Sequence, residues 1–550
     1  MAMQRSERRL RQAASLVLTT LFALLLAQPS PSFAQGALAK PIDPIAGIVD
    51  AFKTNDVVAL GEGNHGNEQG AVFRDKLYRD PRFQAAVNDI VVESGNGRYQ
   101  EMMDRYIAGE AVPEKELRKA WIETTQPHDV WDRDIYADVF RTIREVNQKL
   151  PKAKQLRVLL GDTPYTYDPA NLAAPMVRTD SFTAELVQRE VIAKKHKALM
   201  IFGGMHFLRR QEQMPPEVVN PPPRPGTIVT LLEKAGAKVF TVWTFAAIGA
   251  AQDLNALQSD ITSWPKPSLT LIKGTTLGVA PFTFYYPKGA GRMMVRGPNG
   301  PITLDVGEAI GGTMQDQADA ILYLAPKSEI TMARLSKSLC ADPDYIEMRV
   351  KRMSAMGPSG ASPGAGSPGD AFRMRCNAVV KGPRNTPTPG LEALARRIMA
   401  GDAKGEPALG IISPGLANAA QNQRDGLMKA YARSGPLQSL TFQGATSDGV
   451  GDTYLAVFEY NSRTISIMPG ADGKVMGFLM GPFLPQTDAQ LKASFKAIDL
   501  NSDGKLDQPE YRTMLDKIGF SQMFDTLFAQ IDDDKDGVLT AKEYEAHPQQ

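Results

Sequence analysis

Residues 57–68, VVALGEGNHGNE, decide how the first two thirds of the chain is read. Residues 57–60 are an apolar run of strand length, and the glycines at 61, 63 and 66 then open a turn carrying Glu62, Asn64, His65 and Glu68. A strand that ends in a polar, glycine-rich turn is how open α/β sheets place side chains at their carboxyl edge. The pattern recurs. Residues 90–92 lead into Glu93, residues 158–160 into Asp162 and residues 199–202 into His206, with further apolar runs at 239–242 and 321–324. Amphipathic segments around 73–77, 99–107, 114–122 and 135–150 alternate with the early runs, which predicts a largely parallel sheet covered by helices on both faces. Parallel strands end at one edge, so two imidazoles and two or three carboxylates are expected over a single pocket.

Each of these residues also has a plainer reading. His65 in a glycine turn is equally compatible with a solvated loop position. Glu93 at a strand end suits a cap on the next helix. His206, after two glycines, is placed to hydrogen-bond backbone. Of the five histidines, His128 reads as structural, and His196 and His547 as solvated.

The chain has 550 residues, 43% hydrophobic and 22% charged, a globular composition long enough for two to four domains at roughly 100–200 residues each. Arg5, Arg8, Arg9 and Arg11, an apolar run at 16–27 and the small-x-small site Ser32-Phe33-Ala34 read as a signal peptide over residues 1–34. Its apolar core of about 12 residues falls short of the roughly 20 needed to span a bilayer. Export to the periplasm or medium is therefore expected, with no transmembrane segment after cleavage. Cys340 and Cys376 are the only cysteines, which excludes a disulfide scaffold and leaves a pairing or two buried thiols open.

The G-E-x-x-H-G turn, Arg74, Glu93 and the late G-x-x-H ending at His206 resemble the erythromycin esterase family, whose wider superfamily includes the Tiki proteases and a haem-uptake protein. The segment AILYLAP from Ala320, followed by a Cys-x-Asp-Pro stretch, resembles that family's closing strand. The likeness spans residues 42–356. It implies a hydrolase acting on a small-molecule or peptide substrate, with His65 as general base for a water, Glu62 and Glu93 orienting it, Arg74 holding a carboxylate and His206 completing the centre. A neutral imidazole suits proton abstraction near pH 7, and a carboxylate fixes its tautomer. Two histidines and a glutamate would also form a metal triad with an open position for water. Metal-free acid–base chemistry is the preferred expectation. A non-catalytic envelope protein that binds a ligand such as haem through His65 or His206 is the alternative.

After His206, the proline-rich stretch 213–226 reads as a stiff extended loop. GPSGASPGAGSPGD from Gly357 opens a low-complexity linker assigned to 357–386. Beyond it, two amphipathic helices at 390–400 and 421–435 precede strands at 437–445, 452–460, 464–468 and 474–480. Helices followed by an antiparallel sheet make an α+β unit over 387–484. The segments GPLQSLTFQG, GDTYLAVFEY and DGKVMGF resemble the NTF2-like fold, without convergent acid–base groups.

Residues 486–550 carry 13 acidic against 7 basic residues, while the whole chain has a net charge of +1. Residues 499–510, DLNSDGKLDQPE, and 532–543, DDDKDGVLTAKE, fit the twelve-residue EF-hand loop. The first offers Asp499, Asn501, Asp503, the Lys505 carbonyl, Asp507 through water, and Glu510. The second offers Asp532, Asp534, Asp536, the Val538 carbonyl, Thr540 and Glu543. Gly504 and Gly537 sit at the sharp turns. Two calcium ions are expected in an all-α EF-hand pair over 488–548, with Leu506 and Leu539 pairing the loops and Phe495, Leu515, Phe524 and Phe528 forming the core. Structural calcium, a protein partner through the pair and no nucleic-acid partner complete the reading.

Overall fold

The structure, a computed structural model, describes residues 36–547 except 127, 167, 169–179, 212, 220–225, 246–253, 288–290, 299, 356–367, 519 and 521–523. The leader, the glycine-serine run 357–367 and most prolines of the 213–226 loop lie outside the described residues. The chain divides into two compact units: residues 1–93, 145–161 and 179–331, and residues 94–144, 162–178 and 332–550.

In chain order the strands of the α/β part are β1 (Val57–Gly61), β2 (Asp89–Asn96), β3 (Arg157–Asp162), β4 (Ala198–Phe202), β5 (Val239–Phe245), β6 (Ser268–Leu271), β7 (Arg292–Gly297), β8 (Gly300–Asp305) and β9 (Ala320–Tyr323). Seven form one sheet in the order β3-β2-β4-β1-β5-β9-β6, and β7 and β8 pair as a separate antiparallel ribbon. β4 runs parallel to β1 and β2, and β5 runs parallel to β1 and β9. β6 is antiparallel to β9. The mostly parallel sheet is therefore as predicted. β6 and the β7–β8 ribbon were not anticipated, because SLTL is short and polar-alternating and the ribbon is largely exposed.

β1 and β4 are buried at every position, as continuous aliphatic runs require in the middle of a doubly covered sheet. One face packs Val57, Ala59, Met200 and Phe202 against Ile228, Val229 and Leu232 of the helix Ile228–Lys234. Alternation along β1 follows the two-residue period of a strand. Gly61 pairs with Phe202, so β1 and β4 end level, and the Glu62 N–H still donates to the Phe202 carbonyl at 2.7 Å. That shared edge carries the candidate site.

In the second unit, helices Leu391–Lys404, Pro414–Asn422 and Arg424–Ser434 precede β10 (Leu437–Ala445), β11 (Asp452–Phe458), β12 (Ser462–Pro469) and β13 (Val475–Leu484), an antiparallel sheet in sequential order. Leu391, Ala395 and Ile398 bury against Tyr454, Ala456, Ile465 and Ile467, giving the α+β arrangement expected. The linker assigned to 357–386 is corrected in its second half: Pro368–Lys381 is a helix. Proline suits a helix's first turn, and Phe372 and Cys376, one turn apart, are both fully buried. Cys376 is disulfide-bonded to Cys340.

The C-terminal part joins helices Asp488–Ile498, Gln508–Ile518, Phe524–Ile531 and Ala541–Ala546 through two short strands, β14 (Lys505–Asp507) and β15 (Val538–Thr540). Leu506 pairs with Leu539, and Phe495, Leu515, Phe524 and Phe528 share one buried cluster, as the loop spacing predicts. No helix among the described residues is long and apolar enough to cross a membrane.

Candidate functional site

The turn after β1 is held by its glycines and by Asn67. Gly63 and Gly66 have φ of 73° and 85°, the left-handed region that a side chain resists. The buried Asn67 amide donates to the Glu62 and Asn64 carbonyls at 2.9 and 2.7 Å, while its oxygen accepts the Gly70 N–H at 2.7 Å and caps the helix Glu68–Arg79. Turn and helix are thereby locked together. Arg74, on the helix's inward face, reaches back to Glu62 Oε1 at 2.8 Å, with both side chains buried.

Glu62 also faces His65, whose Nδ1 lies 2.7 Å from Oε2. A parallel arrangement stands at the end of β4. His206 Nδ1 lies 2.5 Å from Asp180 Oδ1, and Asp180 is fully buried. Each imidazole is thus fixed through Nδ1 by a buried carboxylate, which leaves Nε2 to face the site. Both Nε2 atoms address Glu93: His206 at 3.3 Å from Oε1 and His65 at 4.0 Å from Oε2. The Gly203 N–H donates to Glu93 Oε2 at 2.7 Å. A Cβ on Gly203 would stand 3.1 Å from His65 Nε2, so the backbone approaches the ring as closely as glycine allows.

The formal charges match this geometry. Three carboxylates, Glu62, Glu93 and Asp180, face Arg74 and two imidazoles, which balances when both rings are protonated. Burial opposes charge on His206, but Glu93 and Asp180 outweigh it and raise its pKa to about 10. Burial likewise opposes charge on His65, which Glu93 and Glu62 overcome, so its pKa is also raised, against a penalty from His206. Burial pushes Glu93 up, yet the two imidazoles hold it down at about 2. Burial pushes Glu62 up too, and Arg74 with the His65 hydrogen bond keeps it below the ordinary carboxylate value. His206 is an acid at neutral pH. His65 stands farther from Glu93, at 4.0 Å against 3.3 Å, and its side chain is 31% exposed against 25% for His206.

The structure brings Glu62, His65, Arg74, Glu93 and His206 together at one sheet edge. The third carboxylate is Asp180 rather than Asp162, which instead accepts from the Thr125 N–H and hydroxyl at 2.7 and 2.5 Å. Asp180 opens the helix Asp180–Val187. In sequence it reads as an ordinary first-turn acid, and nothing marks it as a histidine partner. Asn67 carried a findable signal, an asparagine directly before a helical pattern. His196, expected to be solvated, pairs through Nδ1 with the buried Asp89 at 2.8 Å.

The two acidic loops form a second site. Asp499 Oδ1 and Oδ2 accept from Asp503 N and Gly504 N at 3.1 and 3.0 Å, and Asn501 Oδ1 accepts from Asp503 N at 2.8 Å. Asp532 Oδ2 accepts from Gly537 N at 3.2 Å, and Asp536 Oδ1 from Val538 N at 2.9 Å. Gly504 and Gly537 have φ of 82° and 86°, and the fourth residues of the loops, Ser502 and Lys535, have φ of 60° and 59°. Glu510 and Glu543 fold back over their loops: Glu510 takes N–H bonds from Leu500, Asn501 and Asp507, and Glu543 from Asp533 and Thr540. Carboxylate oxygens of Asp532, Asp534 and Asp536 lie within 4.8 Å of one another. Asp532 Oδ1 is buried without a hydrogen-bond partner. An orphaned carboxylate oxygen beside two further carboxylates fits a hard cation with oxygen ligands.

The sequence matches the EF-hand family model at residues 491–515 and 524–546. No curated protein matches it. Among solved structures, a Bacillus cereus protein is similar at 12% identity over 54% of this chain and 97% of its own, with a TM-score of 0.33. A succinoglycan biosynthesis protein is similar at 11% identity over 54% and 96%, with a TM-score of 0.34. The type III effector HopBA1 is similar at 15% identity over 41% and 91%, with a TM-score of 0.25. Scores this low carry no argument about the first unit. The loop geometry and the family match agree, and residues 491–546 are an EF-hand domain, which implies calcium binding.

Proposed function

We propose that the protein is an exported hydrolase of erythromycin esterase type, with an EF-hand domain that holds two calcium ions. The observation that carries the enzymatic reading is the pair of imidazoles, each fixed at Nδ1 by a buried carboxylate and both presenting Nε2 to Glu93. The gap of 4.0 Å between His65 Nε2 and Glu93 Oε2 is too long for a hydrogen bond, and one water bonded to both at about 2.8 Å fits it. With His65 in its neutral form, the water oxygen attacks the acyl carbon of an ester, lactone or peptide, and its proton passes to His65 Nε2. The bond to the leaving group breaks, and the leaving atom takes a proton from His206. One proton moving from His65 to His206 across Glu93 restores the starting state. Glu62 and Arg74 position His65, and Asp180 positions His206.

An imidazolium has no lone pair for iron, so the raised pKa of His206 favours acid–base work over haem ligation. The disulfide between Cys340 and Cys376 and the leader-like N-terminus support export, since disulfides persist in oxidising compartments. The sheet of β10–β13 behind three helices supports an NTF2-like reading of 387–484, with a ligand-binding or packing role. A protein partner through the EF-hand pair is compatible with this reading.

Turnover of p-nitrophenyl esters, lactones and peptides in the presence of calcium tests the proposal. His65→Ala should lower turnover by about 10²–10⁴-fold. Chelation followed by return of calcium alone should restore full activity if no other metal takes part. A parent protein inert on all three substrate classes, or a His65→Ala variant as active as the parent, would sink the enzymatic reading.

A further inference from the structure

Glu93, Phe202, Gly61 and Trp243 form one row across the sheet. Val92 pairs with Ile201, Gly61 with Phe202 and Leu60 with Val242, so these four residues stand level on β2, β4, β1 and β5. Val91, Met200, Ala59 and Val239, each an even number of residues behind them, share one buried cluster, so all four project from that same face. Gly61 is the gap in the row. A Cβ there would stand 3.3 Å from Gly204 Cα, and the Gly203–Gly204 backbone passes over this gap.

The two glycines have different neighbours. A Cβ on Gly203 would meet His65 Nε2 at 3.1 Å and Glu93 Oε2 at 3.6 Å, whereas a Cβ on Gly204 would meet Cζ3 of Trp243 at 2.9 Å. One peptide unit thus separates the reacting centre from an indole ring, and neither glycine carries a side chain that would stand between them. The indole is held from behind by the fully buried Phe282, edge to face with 5.6 Å between ring centroids, and Phe282 in turn stacks with Tyr286 at 6.2 Å. Trp243, Met205 and Tyr286 are only partly buried against this cluster. Large apolar side chains left partly open beside a polar centre suit the apolar part of a ligand whose polar part is held by that centre.

We infer that Trp243 is the floor of an acyl subsite, and that the substrates of this centre carry an extended apolar acyl group rather than a small or charged one. The direction follows from the acid. His206, which protonates the leaving atom, lies on the Phe202 side of the row, edge to face with that ring at 5.8 Å between centroids. The leaving group is drawn to that side, and the rest of the acyl group extends across Gly203 and Gly204 toward Trp243. The acyl assignment rests on the hydrolase reading, while affinity for an apolar chain is a property of the ring alone.

p-Nitrophenyl acetate and p-nitrophenyl hexanoate share a leaving group, so the ratio of their kcat/KM values reads the acyl side alone. On the full chain in calcium, hexanoate should be favoured at least about tenfold, mainly through KM. Trp243→Ala should bring the ratio to about threefold or less. Gly204→Ala, whose Cβ pushes the indole aside while leaving it in the core, should lower the ratio too, so the test survives a failure of Trp243→Ala to fold. Calorimetry with hexanamide and acetamide makes the same comparison without chemistry: hexanamide should bind about tenfold more tightly, and the variants should lose that difference. Equal kcat/KM values for the two esters in an active parent would overturn the subsite and leave the hydrolase reading standing. A parent inert on both esters that still binds hexanamide through Trp243 would do the reverse. Hexanamide binding no more tightly than acetamide, or a preference undiminished in the folded variants, would overturn the subsite.

Discussion

His206 is clamped between two carboxylates, with Nδ1 2.5 Å from Asp180 and Nε2 3.3 Å from Glu93, whereas His65 holds Glu62 at 2.7 Å and stands 4.0 Å from Glu93. The two rings are therefore not equivalent. His206 keeps its proton to about pH 10, and His65 has the looser contact on the side where a water fits. In the hydrolase reading, that difference separates an acid from a base within one pair of identical side chains.

Asp180→Asn removes a charge-assisted hydrogen bond worth roughly 1.5–3 kcal/mol, about one to two pH units of His206 titration. Histidine NMR of the variant should show His206 titrating below its parent value of about 10. In the hydrolase reading, kcat should fall by about tenfold or more with KM little changed, and the alkaline limb should move down with the histidine. A variant that loses stability while His206 titrates as before would mark Asp180 as a structural residue only.

The pH dependence has a definite sign. His206 has a folded pKa of about 10, above its ordinary 6.5, so its stabilising contribution is complete below pH 6.5 and is lost as pH rises through 10. Glu93 has a folded pKa of about 2, below its ordinary 4.5, so its contribution is complete above pH 4.5 and is lost as pH falls through 2. His206→Gln should flatten the alkaline fall in Tm, and Glu93→Gln the acid fall. In the hydrolase reading, turnover should rise above pH 6.5 as His65, whose pKa is raised, deprotonates, and fall near pH 10 as His206 does. A parent and a His206→Gln variant with the same alkaline Tm profile would contradict the assignment.

Gly203→Ala should injure the site without injuring the fold. Gly203 has φ of −56° and ψ of 138°, which alanine adopts freely, but its Cβ would stand 3.1 and 3.2 Å from Nε2 and Cε1 of His65. The ring must yield by a few tenths of an ångström, which displaces the proposed base from its water. Turnover should drop on the order of tenfold, with Tm within about 2 °C of the parent. Loss of Tm with unchanged kcat would show that the ring is not where catalysis occurs.

Much of this was legible because it lies in local pattern. The strands β1, β2, β4 and β5 announce themselves as aliphatic runs, and parallel pairing then brings Glu62, Glu93 and His206 to one edge whatever the exact register. The EF-hand loops are legible for a stronger reason, since all their ligands lie within twelve residues. Asp180 was not legible, because its partner is 26 residues away and its role exists only after the chain has returned through β4. The helix Pro368–Lys381 was hidden behind a glycine-serine run whose composition continues to its first turn. Its buried face and its disulfide become visible only in three dimensions.

Calcium should stabilise the EF-hand domain through Glu510 and Glu543. Both carboxylates accept from loop N–H groups, Glu510 from Leu500, Asn501 and Asp507, and Glu543 from Asp533 and Thr540. They hold each loop in a shape close to that needed for a cation. With site affinities of about 0.1–1 mM, typical of extracellular modules, 10 mM calcium is about 10–100 times Kd and adds roughly 1.4–2.7 kcal/mol per site. Glu510→Gln or Glu543→Gln should each remove more than half of the calcium-dependent rise in Tm, because Leu506 and Leu539 tie the loops together and a distorted loop disturbs its neighbour. The double variant should show no rise, with its EGTA melt unchanged from the parent. A double variant that gains as much from calcium as the parent would place the ions outside these loops.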